Sequence, residues 1–179
     1  RDKMICDRSV SQVADVLEVF LEQDIDAILG FVANDRMWEA VQEAQERTGK
    51  KLTIISTPGI DTAEGPEAEQ KNAEILDLEA ERGRSLVMPH TSSTDVMLDK
   101  RARCIRGMDK VAAMIRERGM IPGLSTHEPE SIVYADETGL DVETYISIYN
   151  AAGFLMPIEI DWVNHVIRNA KKPVITIKP

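Results

Sequence analysis

Six short apolar runs in this chain each end on a polar side chain able to bind a ligand or move a proton. His90 and Thr91 follow Ser85–Pro89, and Ser125, Thr126 and His127 follow Met120–Leu124. Asn150 follows Glu143–Tyr149, and Lys178 follows Val174–Ile177. Ser56 and Thr57 close the run that begins at Leu52, and Asn34 and Asp35 follow Asp26–Val32. Histidine titrates near neutral pH, so His90 is the candidate proton donor or oxyanion partner. Lys178 fits an electrostatic clamp on an anionic substrate, or a Schiff-base amine if burial lowers its pKa. Asp35 is the candidate carboxylate of this set. Thr57, Thr91 and His127 are placed to hold substrate. For His127 the alternative is that Ser125, Thr126 and His127 only cap the helix that opens near Pro129, and for His90 that it bonds a neighbouring backbone group. His90 and His127 with Glu128, Asp35 or Asp61 would make a two-histidine, one-carboxylate metal set. No HxH or HExxH spacing supports it, and no metal is assigned.

Such residues meet only if the elements beneath them align their ends. Val10, Val13, Val16, Leu17, Phe20 and Leu21 recur at helical spacing, predicting a helix over 9–23 capped by Asp7 or Ser9. Further helices are predicted at about 35–48, 67–81, 108–118, 129–138 and 158–170. Gly49, Gly83, Gly119 and Gly139 punctuate their ends. His165, beside Trp162 and Val166, is expected to face another helix. Apolar strands fall between the helices, beginning near residues 26, 52, 85, 120, 143 and 174. Residues 91–107 are polar and basic and carry no predicted strand. The stretch from Gly59 to Glu67 is a long acidic connection, either a functional loop or a solvated link.

Strict alternation of strand and helix implies parallel pairing with right-handed crossovers. A doubly wound open sheet and a (β/α)8 TIM barrel both fit. The first strand-to-helix turn, Ala33-Asn34-Asp35, lacks a glycine-rich phosphate fingerprint, which favours the barrel. The expectation is therefore an α/β chain with six of eight barrel strands in a single domain over 1–179, incomplete at both ends.

The chain has 179 residues and a net charge of −10, which disfavours nucleic acid and anionic membranes as partners. No apolar run is long enough for a membrane helix, and Arg1–Cys6 does not read as a signal peptide. Cys6 and Cys104 have no CxxC spacing and read as free thiols of a cytoplasmic protein. A small-molecule substrate is the expected partner, and a homo-oligomer is left open.

The stretch Arg116–His127, then Tyr149-Asn150, then Pro173–Pro179, resembles the second half of aldo-keto reductases in order and interval across about residues 50–179. In that family a strand ends in Gly-X-Ser, as at Gly123-Leu124-Ser125, and a later one near Asn. The resemblance implies an eight-stranded barrel and NADPH as cofactor. Ser125 and Asn150 would be its contacts, and His90 would be the fourth-strand histidine. The chain departs from the family at the catalytic tyrosine, absent from Asn34–Trp38, and at the catalytic lysine, where Pro58 stands. It thus resembles a divergent member, an oxidoreductase with a non-standard active site. A cofactor-free or metal-dependent barrel lyase, aldolase or isomerase is the alternative reading, as is a non-catalytic binding or assembly subunit.

Overall fold

A computed structural model describes residues 8–30 and 35–178. The chain divides into two compact units, residues 1–56 and 57–179.

The smaller unit consists of α1 (Val10–Glu22), β1 (Ala27–Leu29), α2 (Asp35–Thr48) and β2 (Thr53–Ser56). Ser9 starts α1 with a full capping box: its hydroxyl accepts from Gln12 N–H, and the Gln12 side chain accepts from Ser9 N–H. Ala14, Leu17 and Leu21 of α1 bury against Ala40, Val41 and Ala44 of α2, with Leu52 and Ile54 beneath them. These positions are the apolar stripes that the helical spacing demands. β1 and β2 pair in parallel, Ala27 opposite Thr53 and Leu29 opposite Ile55. Arg47 of α2 ties the two helices together through Asp15 and Glu18 of α1, and also pairs with Glu43 on its own helix.

The larger unit carries α3 (Pro66–Glu81), β3 (Leu86–Val87), α4 (Thr91–Met97), β4 (Leu98–Asp99), β5 (Cys104–Ile105), α5 (Met108–Glu117), β6 (Ile121–Pro122), β7 (Leu124–Thr126), α6 (Glu130–Thr138), β8 (Tyr145–Ile148), α7 (Ile160–Asn169) and β9 (Val174–Ile177). Pro66 opens α3 at a position where a missing N–H costs nothing.

The run predicted to end at Leu124 extends to Thr126, in two pieces. β6 pairs in parallel with β3, and β7 pairs in parallel with β8. Gly123 joins the pieces, and its N–H donates to Val87 O at 3.0 Å. The break has a cause in Pro122, whose ring removes the N–H that would point toward β8. On that side the Pro122 C=O still accepts from Glu143 N–H at 2.9 Å, and the first N–H donated from this strand is that of Leu124, to Thr144 O at 3.1 Å. Gly123 is also sterically required. A Cβ there would lie 2.7 Å from Met88 Cε and 2.8 Å from its Cγ, and Met88 is fully buried. β8 pairs in parallel with β9 from Tyr145–Val174 to Ile148–Ile177.

Strand, helix and parallel strand thus alternate as expected, and the architecture is α/β. Among the described residues the strands form open sets and no closed ring. The main core of this unit gathers Leu76, Val87, Ile115, Leu124, Ile132, Tyr145 and Val166 between the sheet and its helices. Tyr145 donates its hydroxyl proton to Asp136 Oδ1 at 2.6 Å. Burial, then Asp136, pushes that phenol well above the usual tyrosine range.

Residues 91–107, polar and basic and without a predicted strand, are regular. They hold α4 and an antiparallel β4–β5 hairpin, with Leu98 opposite Ile105. The signals are side-chain caps rather than periodicity. His90 caps α4, and the Asp99 carboxylate takes the N–H groups of Arg101 and Ala102 at 2.9 and 2.8 Å. Arg103 adopts a left-handed φ of 53° at the hairpin turn. His165 corrects the expectation that it faces another helix. It is exposed and stacks on Trp162, ring centroids 5.5 Å apart.

Candidate functional site

Parallel pairing of β7, β8 and β9 puts the residues that follow them on one edge of the sheet. Thr126 is opposite Ser147, Ser147 is opposite Thr176, and Ile148 is opposite Ile177. His127 therefore leaves β7, and Lys178 leaves β9, at neighbouring strand ends. Lys178 Nζ lies 3.3 Å from His127 Nε2. An ammonium has no lone pair, so the imidazole must be the acceptor. That assigns His127 as neutral, with its proton on Nδ1. Lys178 reaches this position with φ at +58°, a left-handed backbone that non-glycine residues adopt at a cost.

A carboxylate organises the main chain beneath the imidazole. Asp95, on α4, accepts from the hydroxyl of Thr91 and, at 2.6 Å, from the hydroxyl of Thr126. The His127 N–H points at the same group, 3.2 Å from Asp95 Oδ2 and 3.1 Å from Thr91 Oγ1. Thr126 in turn accepts from Glu128 N–H at 2.9 Å, which starts the turn into α6. No side chain caps the first turn of α6, whose N-cap is Pro129; buried Thr126 instead bonds the main chain just before the helix, and the half-buried His127 imidazole takes no part in it.

His90 stands one strand away and is a neighbour in charge if not in contact. Its Nδ1 accepts from Ser92 N–H at 3.1 Å and lies 2.8 Å from Ser92 Oγ. A neutral His90 therefore carries its proton on Nε2, and that N–H is its remaining polar group. The acceptor nitrogen of each histidine is thus engaged, His127 Nε2 by Lys178 and His90 Nδ1 by Ser92. The His127 pKa is held below the usual histidine value. Burial of the ring is the main cause, followed by the Lys178 charge, with His90 adding to the effect while Asp95 and Glu128 oppose it.

The remaining candidates fall differently. Asn150 is buried, and its carboxamide is engaged by its own loop: it donates to Phe154 O at 2.9 Å and accepts from Ala152 N–H at 3.1 Å and Phe154 N–H at 2.9 Å. Ser125 is buried on the sheet face opposite Ile146, with no side-chain hydrogen bond among the described residues. Thr57 is half-buried. Asp35 lies in the first turn of α2, in the smaller unit, and Asn34 lies outside the described residues. Of the two residues matched to NADPH contacts, Asn150 has its Oδ1 and one amide N–H engaged within its own loop, which leaves one N–H, and Ser125 keeps its hydroxyl. Among the described residues no three histidine, cysteine, aspartate or glutamate side chains form a metal-ligand group. Asp61, one carboxylate considered for such a group, caps Ala63 N–H and faces Lys71.

Two features escaped the sequence reading. Asp95 sits inside a polar run that offered no periodic signal, and only its spacing of four from Thr91 hints at the bond between them. The acidic loop after Gly59 is an anchored wall. Ser93 bonds Ile60 at both its N–H and C=O, and Asn72 does the same for Asp61. That loop borders a groove of about 1170 Å³ whose lining includes Asp61, Lys100, Arg106, Asp95 and Glu128. The groove shares Asp95 and Glu128 with the cluster but not His90, His127 or Lys178. Its charged walls pair with one another, as Arg106 does with Asp99 and Lys110 with Glu69. The chemistry is therefore better placed at the strand ends than in the larger groove.

Comparison with known proteins supports the fold. No family model matches the chain, and no curated protein matches it in sequence. Among solved structures, a Pseudomonas aeruginosa protein assigned to the aldo-keto reductases superposes with a TM-score of 0.66 at 16% identity, over 94% of this chain and 66% of that one. An octameric ribulose-1,5-bisphosphate carboxylase/oxygenase from Pyrococcus horikoshii gives 0.53 at 10% identity, over 94% of this chain and 43% of that one. This chain thus spans between two fifths and two thirds of the lengths it matches. At such identities the likeness is one of fold: an α/β arrangement of parallel strands like that of barrel enzymes. No helix among the described residues is long and apolar enough to cross a membrane.

Proposed function

We propose that this chain is the greater part of an aldo-keto-reductase-like barrel enzyme acting on a small polar carbonyl or hydroxy compound. The observation that carries the reading is the pair formed by His127 Nε2 and Lys178 Nζ at 3.3 Å, at the carboxyl edge of three parallel strands. That edge is where barrel enzymes place their chemistry. In this reading the described strands belong to an eight-stranded barrel, six strands of which lie in this chain. Lys178 holds the substrate oxygen by its charge, and His127 exchanges a proton with it. The Nε2–H of His90 stabilises charge that builds on that oxygen. Thr91 and Thr126 keep His127 in place through Asp95. Ser125, with a hydroxyl still unused, and Thr57 line the approach. Asp35 stays a candidate carboxylate.

NADPH, where bound, would supply hydride, with Ser125 and the remaining amide N–H of Asn150 as its contacts, and the proton chemistry above belongs to the chain's own residues. Nicotinamide fluorescence on titration with NADPH tests that directly, and binding would move the reading toward hydride transfer. The carbonyl reading itself is tested with glycolaldehyde, followed through the histidine imidazole resonances. The expected result is a shift at His127 that is lost in Lys178→Met. A titration in which no histidine resonance moves would remove the reading.

A further inference from the structure

We propose that Lys178 is a nucleophilic amine that forms an imine with an aldehyde or ketone, with His127 as the base that frees it. The inference rests on the carbonyl reading above and goes beyond it by making the contact covalent and cofactor-free.

The environment of Lys178 differs from that of the chain's other engaged lysines. Lys50, Lys71, Lys100 and Lys110 all face carboxylates, and for Lys71, Lys100 and Lys110 these raise the pKa of the ammonium. Lys171 and Lys172 donate to the carbonyls of Asp136 and Val142. Lys178 has no carboxylate partner among the described residues, and its amine instead meets the acceptor nitrogen of a neutral imidazole. An amine attacks only after losing a proton, and here an acceptor for that proton lies within reach of it. The imidazole is itself fixed, since its main chain is bound to Asp95 and Thr91.

The chemistry balances without a cofactor. His127 Nε2 takes one proton from the Lys178 ammonium. The amine lone pair then attacks the carbonyl carbon. A C–N bond forms, and the C=O π pair moves to oxygen, which receives the proton back from His127. The resulting carbinolamine passes a second N–H proton to His127, which returns it to the hydroxyl. That group leaves as water while the nitrogen lone pair closes the C=N bond. The net change is ammonium plus carbonyl to iminium plus water, with no change in oxidation state. The Nε2–H of His90 is available to the oxygen during attack. A substrate held this way has an acidified α-carbon, which is the requirement for aldol cleavage or isomerisation.

The test is reductive trapping of the whole chain with glycolaldehyde and sodium cyanoborohydride, read by peptide mass mapping. Lys51, which is exposed and has no ion pair among the described residues, serves as the internal reference. The hydroxyethyl adduct is expected at Lys178 roughly tenfold or more faster than at Lys51, a modest share of what a positioned base supplies. In His127→Gln the Lys178 rate should fall to that of Lys51, with the Lys51 rate unchanged. Lys178→Arg, which keeps the charge, should abolish the fast adduct even if His127→Gln folds poorly. Equal rates at Lys178 and Lys51, with glycolaldehyde still shifting the His127 resonance, overturn the imine and leave the carbonyl reading standing. Equal rates with no shift remove both. Fast labelling that survives His127→Gln overturns the relay.

Discussion

Asn150 and His127 follow adjacent parallel strands, at the same edge of the same sheet, and do opposite things. Asn150 spends its carboxamide oxygen and one amide N–H on Ala152 and Phe154, closing the loop that leaves β8. His127 is supported only through its main chain, by Asp95 and Thr91, and its ring is left to meet Lys178. Both are polar residues at strand ends, and in sequence they look equally functional. The difference lies in what surrounds them. Residues 151–156 form an irregular loop with unpaired backbone groups that must be satisfied, so the nearest amide is drawn in. After β7 the turn into α6 is short, and Thr126 already bonds the Glu128 main chain within it. A polar side chain is free for chemistry when some other group has taken over the local backbone's needs.

Removing the supporting group on each side tests this contrast. Asp95→Ala is expected to have the largest effect, a loss of about 3 kcal/mol, because the hydroxyls of Thr91 and Thr126 and the His127 N–H lose their shared acceptor. Urea unfolding measures the loss. The histidine resonances should also show His127 moving, since its main chain is no longer pinned. Asn150→Ala should cost about 2 kcal/mol, from three modest local hydrogen bonds. Its decisive signature is what stays the same: the His127 titration should match the wild type. If Asn150→Ala also displaces the His127 titration, the two strand ends are not independent and the contrast fails.

The alternation of strand and helix was legible from periodicity, because burial on one stripe or one face leaves a pattern that sequence displays. Helices α1, α5 and α6 stand close to where the spacing of Leu17, Val111 and Ile132 puts them. What lacked a pattern was held together by polar side chains. α4 and the β4–β5 hairpin rest on His90, Asp95 and Asp99, whose bonds span two to five residues or reach across the fold. The split of the Ile121–Thr126 strand was written in Pro122 and Gly123, but reading it requires knowing that β3 and β8 flank that strand. Likewise, the pairing of His127 with Lys178 depends on β8 lying between their strands, which fixes their separation although they stand 51 positions apart in sequence. His90 ranked above His127 in sequence because Met-Pro-His resembled a family position. The structure gives His90 a capping task and His127 a partner.

The finest test of the contrast is electrostatic. Burial and the Lys178 charge hold the His127 pKa below its ordinary value of about 6.5, so the unfolded chain binds a proton more readily than the folded one. The slope of stability with pH follows the difference in bound protons, and here the unfolded state holds more. His127 therefore contributes stability that is fully present above about pH 6.5 and is lost as pH falls toward its lower folded value. Lys178→Met removes the nearest cation but not the burial. The folded pKa should rise part of the way back, and the acid-side loss of stability should shrink relative to wild type. Urea midpoints across an acid-to-neutral series, alongside the His127 titration, measure both. Asn150→Ala gives the reference slope, since nothing at the β8 end bears on this imidazole. A His127 pKa that stays put or falls in Lys178→Met would mean that the amine does not act on the ring, and the distinction between the two strand ends would then rest on Asp95 alone.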